Sequence, residues 1–99
     1  MSLVAVVMGS KSDTEALKPT LEVLDQYGIS YEVNIISAHR TPERARQYGL
    51  TARDKGIEVI IAAAGGAAHL PGVLASWTTL PVIGVPLASS EIKGVDALY

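Results

Sequence analysis

The feature that most constrains this chain is the way wholly apolar runs alternate with amphipathic stretches. Leu3-Val4-Ala5-Val6-Val7-Met8 contains no polar residue. A strand with one wet face alternates apolar and polar positions. An unbroken run of this kind belongs to a strand covered on both faces, as in a parallel sheet. Glycine and serines follow, then a stretch with Leu17, Leu21 and Leu24 at helical spacing. Gly28 closes it, where a left-handed C-cap is wanted. Tyr31 to Ile36 reads as a second strand. Pro42 suits the first turn of a second helix, with Thr41 as its cap and Gly56 at its end. Glu58 to Ala64 is a third strand, Pro71 to Trp77 a short helix, Pro81 to Pro86 a fourth strand, and Ser90 to Tyr99 the start of another helix. Pro19 conflicts with the first helix, because it removes a backbone hydrogen bond and clashes with the preceding turn, at a cost of about 3 kcal/mol. A kink is expected there, or a helix that becomes regular only after Pro19.

Strand–helix alternation implies right-handed βαβ crossovers and an α/β fold, a three-layer parallel sheet of flavodoxin-like or Rossmann-like type, in a single domain over residues 1–99. Charged residues are only 18% of the chain, below the usual ~25%. That points to strands covered on both faces, to surface lost to partner subunits, or to both. A net charge of −2 and the lack of a basic stripe argue against nucleic acid as a partner. Cysteine is absent, which excludes disulfide and thiolate chemistry. The opening run is too short for a signal-peptide core and has no basic leader, and no apolar stretch reaches the ~18 residues that span a membrane. A soluble cytoplasmic protein is expected.

Sheets of this class bind ligands beyond the carboxyl ends of their strands. Three loops leave strands there, Gly9–Asp13, Ser37–Pro42 and Gly65–Gly72, and both histidines lie in them. In the first, Ser12 and Glu15 have capping-box spacing. The same residues could form a phosphate or sugar cradle at a helix N-terminus. Asp13 would repel phosphate and suits ribose hydroxyls better. The loop is neither a P-loop nor a GxGxxG fingerprint. In the second, His39 reads either as a capped neutral imidazole or as a proton carrier, since an ordinary imidazole gives and takes protons near neutral pH. Arg40 is either a phosphate fork or the surface partner of Glu43. The third loop is nearly bare backbone, which lets a flat ligand approach or a helix cross a strand closely. His69 there is a second polar contact or a helix cap, and Trp77 packs against a neighbour. Two histidines with no nearby carboxylates do not make a metal site, and no nucleophile elbow or serine triad is present.

At these loops the sequence resembles a known family. Val7-Met8-Gly9-Ser10-Lys11-Ser12-Asp13, Ser37-Ala38-His39-Arg40-Thr41-Pro42 and Ala64-Gly65-Gly66-Ala67-Ala68-His69-Leu70-Pro71-Gly72 look like the signatures of N(5)-carboxyaminoimidazole ribonucleotide mutase, the catalytic subunit of phosphoribosylaminoimidazole carboxylase in purine biosynthesis. Pro81-Val82-Ile83-Gly84-Val85-Pro86 and Gly94-Val95-Asp96-Ala97-Leu98-Tyr99 match its pattern too. The resemblance implies an isomerase that needs no metal or organic cofactor. It moves a carboxylate from the exocyclic nitrogen of an aminoimidazole ribonucleotide to ring carbon C4, by loss of CO2, its retention and recarboxylation. Carried over, His39 is the acid/base. Arg40, Ser12 and Ser37 hold the 5′-phosphate, Ser10 and Asp13 contact the substrate, and Asp13 does so at the ribose. The strand-end residues Ala64, Gly65, Gly66 and Ala67, with His69, Leu70 and Ala38, complete the walls around the imidazole and CO2.

The resemblance also implies homo-octamers with active sites at subunit contacts. The family continues past the equivalent of Tyr99 with a loop, a final strand and a long helix, so this chain is expected to lack that strand and helix. Three other readings stand beside the mutase: an inactive fragment, a phosphate-ribose binding module, and the sister branch that carboxylates aminoimidazole ribonucleotide directly with CO2.

Overall fold

The elements follow the sequence pattern closely. They are β1 (Leu3–Met8), α1 (Thr14–Gln26), β2 (Ser30–Ile35), α2 (Pro42–Ala52), β3 (Ile57–Ala64), α3 (His69–Trp77) and β4 (Val82–Pro86), with 3-10 turns at Lys11–Asp13 and Arg53–Lys55. This computed structural model describes residues 3–65 and 69–87; the helix expected from Ser90 lies outside them. The strands form one sheet in the order β2-β1-β3-β4, and every pairing is parallel. The chain steps from β1 outward to β2, then crosses over β1 to β3. This reversal is the switch point of a doubly wound, flavodoxin-like α/β fold.

Successive side chains of β1 point to opposite faces and build two separate cores. Ala5 and Val7 join Ile36, Ala45, Tyr48, Ile57, Ile60, Ala62, Leu70 and Leu74 on the α2–α3 side. Val4, Val6 and Met8 join Leu17, Leu24 and Ala63 on the α1 side. The unbroken apolar run is therefore a consequence of double coverage, and β1 is buried from Val4 to Met8. In β3 a register shift opposite Leu3 and Val4 places Ile57 on the same face as Ile60 and Ala62, as one extra residue in a bulge must.

The punctuation works as chemistry requires. Gly28 (φ +67°) follows α1 and Gly56 (φ +91°) follows the 3-10 turn after α2, both in the left-handed region. α1 is helical from Thr14 through Pro19 to Gln26, so it does not wait for Pro19 to become regular. Pro81 stands just outside β4 and contributes its carbonyl, which accepts from Ile60 N at 3.0 Å. A proline can do that without an N–H.

Candidate active site

The loops leaving β1, β2 and β3 meet around one open cavity of about 300 Å³, lined by Gly9, Ser10, Ser12, Asp13, Ser37, Ala38, His39, Gly65, His69 and Leu70. Parallel strands dictate this convergence: each crossover helix starts beyond the carboxyl end of its strand. The N-termini of α1, α2 and α3 thus border the same rim, and their partial positive charge favours an anionic ligand.

In the first loop Ser10 is extended (φ −150°) and caps the 3-10 turn by accepting from Ser12 N. The two hydroxyl oxygens lie 2.9 Å apart. This replaces the capping box expected of Ser12 and Glu15, because the inserted turn moves the cap of α1 to Asp13. The Asp13 side chain makes no cap bond, which leaves its carboxylate for the cavity it lines.

The second loop is closed on itself. Ser37 Oγ accepts from Arg40 N at 3.0 Å, and Thr41 N donates to Ser37 O at 2.9 Å. Thr41 does occupy the N-cap position of α2, with Pro42 next, but its hydroxyl caps nothing in the helix. It donates instead to Ser37 O at 2.9 Å and accepts from Ser37 N at 3.2 Å. His39 projects from this closed turn.

The third loop returns His69 as the first residue of α3. Its ring meets that of His39 edge to face, with centroids 5.0 Å apart. Leu70, 2% exposed, forms an apolar floor. Ala64 ends β3 opposite Pro86. Gly66 and Ala67 lie outside the described residues. Gly9 also lines the cavity; its place directly after β1 was the signal that marks it.

Arg40 is exposed and stands off the lining. It does not pair with Glu43, which binds Arg46 at 2.9 Å and Gln47 at 3.2 Å. Those two bonds, Gln47 first, hold the Glu43 carboxyl below its usual pKa. Arg40 has no side-chain partner among the described residues, so its fork is available at the rim. Trp77 packs as expected, with its Cβ against Gly49 and its ring under Arg46 at 5.1 Å. No group of three or more potential metal-ligating side chains gathers among the described residues. No described helix is long and apolar enough to cross a membrane.

A family model described as AIR carboxylase matches residues 3–99. The chain belongs to the AIR carboxylase family. N5-carboxyaminoimidazole ribonucleotide mutase of Aquifex aeolicus is 60% identical over 98% of this chain, which covers 58% of that protein. The protein of the same name from Saccharolobus solfataricus is 58% identical over 99% of this chain, which covers 62% of it. The crystal structure of Treponema denticola PurE superposes with a TM-score of 0.84 at 27% identity, over 99% of this chain and 63% of that one. This member of the AIR carboxylase family thus spans about three-fifths of the length of the relatives it matches.

Proposed function

We propose that the cavity is the site of a carboxyaminoimidazole ribonucleotide mutase in purine biosynthesis. The observation that carries this reading is the meeting, at one rim of helix N-termini, of an imidazole pair, a serine pair and an uncapped aspartate. Each part of the substrate finds a chemical partner there. The 5′-phosphate takes the hydroxyls of Ser12 and Ser37 and the Arg40 fork, a charge-assisted pairing stronger than neutral hydrogen bonds. Ser37 Oγ accepts from Arg40 N, so its own hydrogen can point outward to the phosphate. The ribose hydroxyls donate to Asp13, beside Ser10. The aminoimidazole ring lies against Ala38, Gly65, His69 and Leu70.

The chemistry then needs one mobile proton. The carbon–nitrogen bond of the carbamate breaks, CO2 leaves and the exocyclic nitrogen takes a proton from the His39 imidazolium, which becomes the neutral base for the next step. Ring carbon C4 attacks the retained CO2, and His39 removes the proton that C4 gives up. Positioned proton transfer of this kind supplies roughly 10²–10⁴-fold in rate. CO2 must stay in the pocket between the two steps, which calls for exclusion of water. His39 and His69 are both exposed in the isolated chain. Further cover from a neighbouring subunit, in a homo-oligomer and in the family's manner an octamer, answers that need.

Incubating the protein with the carboxyamino substrate and following the C-carboxylated product by absorbance tests the reading. Conversion that depends on His39 supports it. Binding of the ribonucleotide without conversion by a discrete oligomer replaces the mutase with a phosphate-ribose binding module. Product formed only from aminoimidazole ribonucleotide and CO2 moves the chain to the directly carboxylating branch. The 52–60% identity to relatives named as mutases supports the first of these.

A further inference from the structure

Thr41 stands where a helix wants a cap and has the right side chain for one, yet it spends its hydroxyl elsewhere. The hydroxyl reaches back four residues and bridges both backbone groups of Ser37, accepting from N at 3.2 Å and donating to O at 2.9 Å. No part of that bridge serves α2, which begins at Pro42 without a side-chain cap. The bridge closes a short ring of backbone with Ala38, His39 and Arg40 inside it. Both ends of the ring are anchored. Ile36 is 1% exposed and its N–H donates to Met8 O at 2.8 Å. Thr41 O accepts from Ala45 N at 3.2 Å, and Pro42 fixes the backbone after it. The Thr41 N–H donates to the same Ser37 O at 2.9 Å, a backbone tie kept by any residue at this position except proline. Arg40 N donates to Ser37 Oγ at 3.0 Å, which shortens the arc to Ala38 and His39.

We propose that the Thr41 hydroxyl is a positioning residue for His39: by clasping Ser37 it sets where the His39 imidazole sits against the cavity and against His69. The inference rests on the mutase reading for its consequence in turnover, though not for its geometry. A proton carrier must lie within hydrogen-bond reach of the proton it takes, and about an ångström of misplacement is felt as a loss of order 10²-fold. The Thr41 N–H already holds Ser37 O; what the hydroxyl adds is the tie to Ser37 N and a second donor to Ser37 O, through one atom that both gives and takes a hydrogen bond. Threonine and serine provide that at this distance; valine cannot.

The experiment compares Thr41→Val, Thr41→Ser and Thr41→Asn with the unchanged chain in two readouts. In turnover, Thr41→Val is expected to lower kcat by about 10- to 100-fold while KM changes little, and Thr41→Ser to restore kcat to within about threefold. In proton–nitrogen spectra of the histidines, the His39 ring resonances shift in Thr41→Val, because the edge-to-face contact with His69 changes, and stay in place in Thr41→Ser. Thr41→Asn guards against a folding artefact, since asparagine caps helices at least as well as threonine but cannot clasp Ser37 through one atom. It is expected to follow Thr41→Val. Unchanged His39 resonances in Thr41→Val and Thr41→Asn overturn the proposal, whatever the turnover. If no variant, the unchanged chain included, converts the substrate, the mutase reading falls. The spectra then decide the positioning role alone.

Discussion

The centre of the sheet and its carboxyl-end rim are built on opposite principles. In the centre, β1 and β3 pack Val4, Val6, Met8 and Ala63 to one side and Ala5, Val7, Ile60 and Ala62 to the other. No charged or polar side chain is buried there among the described residues. At the rim most side chains are polar and exposed or half-buried, and the serine and threonine hydroxyls are held by short-range hydrogen bonds to backbone two to four positions away. Free energy in the centre comes from apolar area removed from water, which does not depend on direction. The rim depends on direction and contributes little to stability. The lesson is a division of labour: the centre fixes where the strand ends are, and the rim uses those ends for chemistry.

The sharpest break between the two regions is Ile60→Ala. Ile60 is fully buried, pairs with Ala5 and Val82, and has no solvent into which the site can relax. Truncation there is expected to cost about 2–5 kcal/mol, read as a lowered midpoint in chemical denaturation. His39→Asn is the complementary case. It is expected to lose turnover by at least ~10²-fold while its unfolding free energy stays within about 0.5 kcal/mol of the unchanged chain, as for an exposed position. Near-normal turnover in this variant removes His39 as the proton carrier. A loss of several kcal/mol would erase the distinction between rim and centre.

The same contrast explains what was legible in the sequence. β1 is read to the residue because burial on both faces writes itself as an unbroken apolar run. The fold class and the rim follow, since strand–helix alternation leaves few topologies and puts the loops at one edge. The ends of other elements differ by one or two residues from the pattern: β2 and β3 each begin one residue earlier, and at Pro71 and Pro81 the proline is not the boundary. Pro71 is the third residue of α3, not the first, because the first-turn N–H groups have no intrahelical partner and a proline loses nothing there. Local hydrogen bonding was not legible. Ser12 and Thr41 both have the composition of caps, but a 3-10 turn and a backbone clasp give them other partners. Glu43 had Arg40 and Arg46 both at three positions' distance, and only Arg46 lies on the same helix. The meeting of His39 with His69 depends on β1 lying between β2 and β3, which composition does not encode.

A smaller effect tests how tightly the helical layer is set on the sheet. Gly49 lies inside α2, and a Cβ there would come within 2.8 Å of Trp77 Cβ on α3. Alanine normally gains about 1 kcal/mol over glycine in a helix, whereas forcing an extra carbon into a packed contact costs about 1–3 kcal/mol. The clash involves a Cβ, which cannot swing aside as a chain end can, so the loss is expected to win. Gly49→Ala should lower the unfolding midpoint and loosen the α2–α3 contact, seen as faster amide exchange in both helices. A stabilised variant means that α3 slides freely, and the layer is then less rigid than the sheet beneath it.

The smallest expected effect lies at the border of the two regions. Tyr48 is 7% exposed, and its phenol oxygen accepts from Asn34 Nδ2 at 3.2 Å, while the same amide donates to Glu32 at 3.0 Å. Burial first, and the Glu32 carboxylate second, push the phenol well above its ordinary pKa. The sign of the consequence is fixed by linkage. Below about pH 10, the ordinary tyrosine value, the phenol is neutral in both states and its contribution is complete. As pH rises past that value the unfolded chain ionises first, and the stability Tyr48 contributes is progressively lost. Tyr48→Phe should therefore cost about 1 kcal/mol at neutral pH, the net worth of a hydrogen bond. Its disadvantage should shrink in alkaline denaturation, where phenylalanine has no proton to lose. An equal deficit at pH 7 and pH 11 would place the whole effect in packing and assign Tyr48 to the apolar centre alone.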